Sequence, residues 1–273
     1  MGSALAARLS AAGAAVVGFD VAADKRKPIA RSGVAVASSL DETIGNAGSI
    51  VLCLPNSDVV EQVLSSLEPS LAAGSIILDT TTGDPEQVAS FGPRLAARGV
   101  EYVDATVGGS SEQARQGEAI AMVGGPRESF ERAKPLLETF ARETFHLGDW
   151  GAGSRMKLVL NLVLGLNRAV LAEALVFAKR QGLDPQTALA TLKAGPSYST
   201  VMDVKGAKML AEDFEPVARL SQHLKDVRLI LAAGSRSGAK LPLSALHEEL
   251  LERAERLGFG AADNCAVIKA FED

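Results

Sequence analysis

The sequence predicts a doubly wound α/β domain with a parallel sheet at residues 1–150, followed by an all-α domain at residues 151–273. In the first half, short apolar runs rich in β-branched residues alternate with segments of helical periodicity, which is typical of a parallel sheet covered by helices on both faces. After Gly151 the apolar residues recur at helical spacing, and no comparable strand run follows. A chain of 273 residues, 47% of them hydrophobic, is long enough for two modest domains.

Five strands are predicted in the first half. Each is a short apolar run bounded by glycine, proline or polar residues, and a segment with helical pattern separates it from the next. The runs are 15–19, 49–54, 75–78, 101–104 and 119–123. Because α/β sheets bind ligands outside the carboxyl ends of their strands, we expect a binding site in the loops that follow these runs.

Helices fill the second half. The predicted helices span about 152–180, 216–237, 242–257 and 261–271, with a further helix that begins at Asp184 and Pro185. The first of them has apolar residues on several faces, and such a helix must be covered by other parts of the protein. Packing of two copies would cover it, so we expect a homodimer or a homotetramer.

The composition excludes several classes of protein. A net charge of −5 and a pI near 5.4 argue against a nucleic-acid partner, which would require a basic stripe. The three histidines lack the spacing of metal ligands, and the two cysteines, Cys53 and Cys265, offer no disulfide framework. We found no signal peptide and no apolar run of the ~20 residues that span a bilayer, so we expect a cytoplasmic protein without a membrane partner.

Lys157 and Asn161 lie four residues apart in the first helix of the second half. This spacing places both side chains on one helical face, where both can reach one small ligand. Lys157 is followed by an apolar run, and desolvation of its ammonium would lower its pKa towards the range useful for acid and base chemistry. The alternative is a lysine that extends to solvent from the edge of a core helix, the commoner situation for a single lysine in such a run.

A wider pattern of motifs favours the first interpretation. In chain order, the motifs are a glycine followed by an alanine-rich helix at residues 1–9, Asp79–Thr82 with Pro85, Asp104–Gly109 with Gly117, Gly151–Asn161, and Phe214 with Lys225 and Asp226. Over nearly its whole length the chain therefore resembles the β-hydroxyacid dehydrogenases, the family of 3-hydroxyisobutyrate dehydrogenase and tartronate semialdehyde reductase. Each motif alone is weak, but five in the right order form a specific signature.

The resemblance implies a Rossmann-type first domain that binds a dinucleotide. Gly2 corresponds to the last glycine of the family's fingerprint, and the helix after it would direct its N-terminus at the pyrophosphate. Asp20 ends a predicted strand, where an acidic side chain accepts hydrogen bonds from the adenosine ribose. NAD is expected rather than NADP, since a 2′-phosphate would meet the charge of Asp20, and Val21 is not an arginine that could neutralise it. The alternative is that Asp20 is a plain turn residue.

The resemblance assigns further residues to the cofactor. Leu54 and Pro55 follow one strand and Thr82 follows the next, and both loops would border the nicotinamide. Lys225 would lie close to the cofactor and the substrate. The alternatives are that the proline only marks a loop and that Lys225 with Asp226 forms an exposed charged pair.

The expected reaction is hydride transfer between nicotinamide and a small 3-hydroxy acid or its semialdehyde. In this scheme Lys157 is the general acid and base and Asn161 holds the substrate's oxygen. Gly108, Gly109 and Ser110 would offer backbone N–H groups that bind the substrate's carboxylate.

The chain departs from the family pattern at four positions. Gly108 replaces a serine, Ser110 replaces a glycine, Leu160 replaces the first asparagine after the lysine, and Thr106 replaces a proline. We therefore expect a substrate with a different tail, and the identity of the acid stays open.

The sequence begins inside the glycine turn, so the first strand of the predicted sheet is missing from it. Strands 15–19 and 49–54 would then flank an unpaired gap, and the closest backbone approach to the pyrophosphate would be lost, so we expect the chain as written to be a poor enzyme. Two other functions are compatible with the sequence. One is an imine reductase of the same fold, a branch that usually lacks the lysine, and the other is a non-catalytic oligomeric binding protein with an impaired cofactor site.

Overall fold

The computed structural model describes residues 1–30, 32–45 and 47–272. They form two compact units, Met1–Lys157 and Leu158–Asp273. The division falls inside a long helix, a little after the predicted boundary at residue 150, and that boundary stays a prediction.

The first unit alternates strands and helices along the chain. Strands β1 to β7 span Val17–Gly18, Ala35–Val36, Ser49–Leu52, Ile76–Asp79, Glu101–Gly108, Ala119–Gly124 and Ala141–His146. Helices α1 to α7 span Gly2–Ala11, Ala23–Ala30, Leu40–Ile44, Ser57–Leu67, Pro85–Ala96, Ser111–Gln116 and Arg127–Leu137. Every strand predicted from the sequence is present. The strands β2 and β7 were not predicted.

The larger sheet has the order β3-β4-β5-β6-β7 and is parallel except for one pair. The predicted parallel sheet is thus confirmed in its main part, whereas strand β6 runs antiparallel to β5, a direction that was not predicted. The physical reason is the connection: only the short helix α6 joins the two strands, whereas a parallel pair needs a crossover of roughly a dozen residues or more.

Strands β1 and β2 form a separate, two-stranded parallel sheet. In the described part of the chain, β1 therefore pairs with β2 and not with β3.

Helices cover both faces of the larger sheet. Alternate residues of a strand point to opposite faces, so Leu78 and Val103 pack with α1 and α7 in one core cluster. Ile77 and Tyr102 pack with α4 and α5 in another. The two clusters hold the carboxyl ends of β3, β4 and β5 in fixed positions, and most of the candidate site of this unit follows those ends.

The described part of the second unit is built from helices. Helix α8 spans Ala152–Arg180 and is shared with the first unit, and α9 to α12 span Pro185–Ala194, Thr200–Leu210, Leu220–Ser237 and Pro242–Ala254. A π-helical turn, Glu255–Phe259, and a 3-10 helix, Asn264–Ala270, follow. As predicted, Asp184 caps α9 and Pro185 begins it. Helix α10 was not predicted, and α11 begins four residues later than expected.

Helix α8 is long and apolar enough to cross a membrane by length and composition, with a mean hydropathy of 1.6 over an 18-residue window. This corrects the prediction that no segment reaches that length. Core helices of soluble proteins pass the same test, and Leu171, Ala172 and Leu175 lie in the core of the helical unit. Packing within the unit thus accounts for part of the apolar character of α8.

Candidate active site

The loops that follow β3 and β4 are tied to each other by threonine side chains. The hydroxyl of Thr80 donates to the carbonyl of Leu52 at 2.6 Å, and the N–H of Leu54 donates to the hydroxyl of Thr81 at 3.0 Å. Leu54 is half-buried, and so is Thr82 in the facing loop. The structure therefore brings Leu54, Pro55 and Thr82 into one pair of loops at the carboxyl edge of the sheet.

A buried acid anchors the second of these loops. Asp79, the last residue of β4, accepts hydrogen bonds from the hydroxyl of Tyr102 at 2.9 Å and from the N–H of Thr81 at 2.9 Å. Burial raises the pKa of Asp79 to about 6, although both hydrogen bonds favour its charged form. The sequence motif pointed to Asp79, but its partner Tyr102 could not be read from it.

The first turn of α1 is suited to an anion. Its N-cap residue, Met1, makes no side-chain capping hydrogen bond, and no acidic residue lies in the first turn. Helix N-termini of this kind present N–H groups to phosphate. A Cβ atom on Gly2 would lie 3.4 Å from Cys53 Cβ, an ordinary contact, so space alone does not require glycine there.

Asp20 follows β1 and is half-buried. One of its carboxylate oxygens accepts the N–H of Ala22 at 2.8 Å, the geometry of a local turn. The second oxygen can accept hydrogen bonds from the ribose, so the turn and the cofactor contact are compatible. With the uncapped turn at Gly2, these residues fit a nicotinamide dinucleotide, NAD or NADP. Among the described residues, Asp20 makes no hydrogen bond to another predicted site residue.

The predicted substrate turn follows β5, whose last residue is Gly108. Gly109 has a φ of +127°, a conformation that side chains rarely permit. Ser110 caps α6: its hydroxyl accepts the N–H of Gln113, and its own N–H donates to Gln113 Oε1 at 2.9 Å. The N–H of Ser110 is therefore not open to a ligand in this conformation, which corrects that part of the expected carboxylate site.

Lys157 reaches this turn from α8. Its Nζ donates to the carbonyl oxygen of Val107 at 2.7 Å, and its side chain is half-buried. Val107 directly precedes Gly108, so the lysine's amine lies beside the backbone that was predicted to hold the substrate. An ammonium on a backbone carbonyl at this distance is a short, charge-assisted hydrogen bond.

Asn161 and Lys225 meet at a third residue in the helical unit. The amide nitrogen of Asn161 donates to one oxygen of Asp226 at 2.9 Å, and Lys225 Nζ lies 3.1 Å from the other. A carboxylate can only accept, so the NH₂ group of Asn161 must face Asp226 and its carbonyl oxygen must face away. The pair Lys225–Asp226 is thus not a simple exposed charged pair. Sequence reasoning noted Asp226 in the motif but did not place it in the site.

Models of two known protein families match the two halves of the chain. The family model for the NAD binding domain of 6-phosphogluconate dehydrogenase matches residues 1–148. The model described as NAD-binding of NADP-dependent 3-hydroxyisobutyrate dehydrogenase matches residues 151–271.

Relatives and solved structures extend the similarity to the whole chain. The chain is 32% identical to 2-(hydroxymethyl)glutarate dehydrogenase of Eubacterium barkeri, over 100% of this chain and 92% of that protein. It is 30% identical to 2-hydroxy-3-oxopropionate reductase of Escherichia coli strain K12, over 82% of this chain and 77% of the other. The crystal structure of 3-hydroxyisobutyrate dehydrogenase from Salmonella typhimurium is similar with a TM-score of 0.92, at 26% identity, over 99% of this chain and 96% of that one.

Proposed function

Because the chain belongs to the β-hydroxyacid dehydrogenase family, we propose that it transfers a hydride between NAD and a small 3-hydroxy acid or its semialdehyde, with Lys157 as general acid and base. At a coarser level, it is an NAD(P)-dependent oxidoreductase of small hydroxy acids. The observation that carries the finer proposal is the contact between Lys157 Nζ and the Val107 carbonyl at 2.7 Å, because it puts a proton-carrying group at the substrate turn.

The chemistry follows from the groups around the lysine. During oxidation of a hydroxy acid, Lys157 accepts the hydroxyl proton, and during reduction it returns that proton to the carbonyl oxygen. Bound nicotinamide supplies the hydride acceptor or donor. The backbone at Gly108 and Gly109 holds the substrate's carboxylate. Asn161, whose amide is oriented by Asp226, holds the substrate's oxygen.

We propose NAD as the preferred cofactor. Asp20 places a carboxylate after β1, where the adenosine ribose hydroxyls would donate to it, and a 2′-phosphate there would be repelled. Val21 is almost wholly exposed and carries no charge that could compensate. Leu54, Pro55, Thr82 and Lys225 are the further residues proposed to contact the cofactor.

A homodimer or homotetramer is proposed for the assembly. Helix α8 exposes an apolar stripe of Val159, Val163, Val170 and Phe177, and the last two are more than 60% exposed. These residues recur near helical spacing, so they share one side of α8. A contiguous apolar surface of this kind is typical of an interface between protein chains.

The substitution Lys157→Ala tests the role of the lysine. We expect kcat for 3-hydroxy acids to fall by about a hundredfold or more, the size of general acid and base catalysis, while NADH affinity in a fluorescence titration changes little. Lys134→Ala is the matched control, because Lys134 is an exposed lysine of α7, 3.8 Å from Glu138. A Lys157→Ala enzyme with near-parental kcat would overturn the proposal.

A further inference from the structure

We propose that Asp104 and Thr106 are positioning residues for Lys157: they fasten the first turn of α8 to β5 and thereby set the lysine's amine at the substrate turn. This inference rests on the proposed role of Lys157. Both residues lie in the middle of a buried strand, on the same face, because they are two positions apart.

Asp104 serves as a cap for a helix that begins almost fifty residues later. Its Oδ1 accepts the N–H of Gly151 at 2.8 Å, and its Oδ2 accepts the N–H of Ser154 at 2.7 Å. The first N–H groups of an α-helix have no partner inside the helix, and a carboxylate at this end also interacts favourably with the helix dipole. Both carboxylate oxygens are therefore used to hold the start of α8.

Thr106 holds the same turn as a hydrogen-bond donor, whereas Asp104 holds it as an acceptor. Its hydroxyl donates to the carbonyl oxygen of Gly153 at 2.9 Å, and the carbonyl of Met122 lies further away at 3.3 Å. A hydroxyl has one proton to donate, so the shorter contact to α8 is favoured. The position that departs from the family's proline thus carries a second attachment of the helix.

The first turn of α8 packs closely against β5 and β6. A Cβ atom on Gly153 would lie 2.6 Å from the carbonyl oxygen of Asp104. A Cβ atom on Gly124, in β6, would lie 2.5 Å from Asp104 Oδ1 and 2.8 Å from the backbone nitrogen of Ala152. The two glycines allow the backbones of β5, β6 and α8 to approach to these distances, which any side chain would prevent.

Lys157, further along the same helix, also makes a hydrogen bond to β5. It lies about one turn beyond Ser154, a rise of about 4.5 Å, and it donates to Val107, one residue after Thr106. Asp104, Thr106 and Val107 therefore hold α8 at successive points along one strand. Because a misplacement of about 1 Å in a catalytic group can reduce a rate about a hundredfold, loosening the first turn should slow proton transfer without removing the lysine.

The test compares Thr106→Val, Thr106→Ser, Asp104→Asn and Lys157→Ala with the parent enzyme. We expect Thr106→Val to lower kcat by about tenfold and to shift the pH profile of kcat/KM, with NADH affinity unchanged. Thr106→Ser keeps the hydroxyl and should recover most of the parental kcat. In Asp104→Asn, the new NH₂ group would face one of the two backbone N–H groups that the carboxylate accepts, and two donors cannot form a hydrogen bond. We therefore expect a larger loss of kcat than for Thr106→Val.

Circular dichroism and NADH titration show whether each variant is folded. If Asp104→Asn does not fold, the positioning role is tested by comparing kcat of Thr106→Val with kcat of Thr106→Ser. Parental kcat and an unshifted pH profile in folded Thr106→Val would overturn the positioning role, provided that Lys157→Ala is inactive. If Lys157→Ala keeps its activity, the proposed function itself fails, so the two failures are distinguishable.

Discussion

Lowering the pH should destabilise the helical unit through His247. The ring of His247 in α12 is 2% exposed and lies 5.2 Å, centroid to centroid, from the ring of His223 in α11. Both rings pack against Gly165 of α8. Burial, together with the charge of Arg168 in α8, lowers the pKa of His247 from 6.5 to about 4.

The direction and the size of the effect follow from this pKa. The unfolded chain binds a proton at His247 below pH 6.5, whereas the folded chain does so only near pH 4, so protonation favours unfolding. The stabilisation is fully present above pH 6.5 and is lost as the pH falls towards 4. A tenfold change in proton affinity is about 1.4 kcal/mol, so the free energy of unfolding should drop by about 2 kcal/mol at pH 5 and about 3 kcal/mol below pH 4.

Urea unfolding followed by circular dichroism at 222 nm, from pH 7.5 to pH 4, measures this free energy. The variant His247→Gln lacks the titrating group. Between pH 7.5 and pH 4, its free energy of unfolding should therefore fall less than that of the parent, and the difference should equal the losses given above. Asp79, whose pKa is raised to about 6, acts in the opposite sense, because its neutral form is favoured on folding and its contribution falls as the pH rises. Asp79 is present in both proteins and cancels in the comparison.

His146→Gln is the matched control, since His146 is a histidine of the other unit. It bonds the carbonyl of Gly125 at 2.8 Å and is not fully buried. Parallel pH dependence of the parent and His247→Gln would refute the reasoning.

Three other outcomes are expected. Asp20→Ser combined with Val21→Arg should narrow or reverse the preference for NAD in kcat/KM, and an unchanged ratio would refute the role of Asp20. Gly165→Ala places a Cβ atom 2.5 Å from the nearer histidine ring, so urea unfolding should show a loss of about 1–3 kcal/mol; a parental midpoint would contradict that tight packing. Val163→Glu with Val170→Glu should dissociate the oligomer in analytical ultracentrifugation, and a monomeric parent would end the assembly proposal.

Much of the fold could be predicted from the sequence because its elements carry strong local patterns. Strands β3, β4 and β6 are mainly apolar runs, and the apolar residues of α8 recur at helical spacing. Strand β2 has two residues, both exposed, and β7 alternates irregularly between buried and exposed residues. Neither pattern distinguishes a strand from a loop. The antiparallel direction of β6 depends on the length of a connection rather than on the residues of the strand.

The candidate site was predictable only in part. Local spacing put Lys157 and Asn161 on one helical face, and the motifs supplied the turn at Gly108. Their partners were not visible, since Asp226 lies 65 residues from Asn161 and Ser154 lies 50 residues from Asp104. Hydrogen bonds over such separations depend on the fold as a whole. The use of the Ser110 N–H in a capping box also escaped prediction, although Gln113 three residues later is the sequence signal for it.

Because the β1–β2 sheet is separate from the larger sheet, we expect it to unfold locally more often than the larger sheet does. Two short strands with exposed valines, Val17 and Val36, bury little apolar surface, so amide hydrogens of this sheet should exchange with solvent faster than those of β4 and β5. Asp20 lies two residues after the end of β1. A dinucleotide that Asp20 holds only while this sheet is formed would therefore slow amide exchange in β1 and β2, to an extent set by its concentration relative to its Kd.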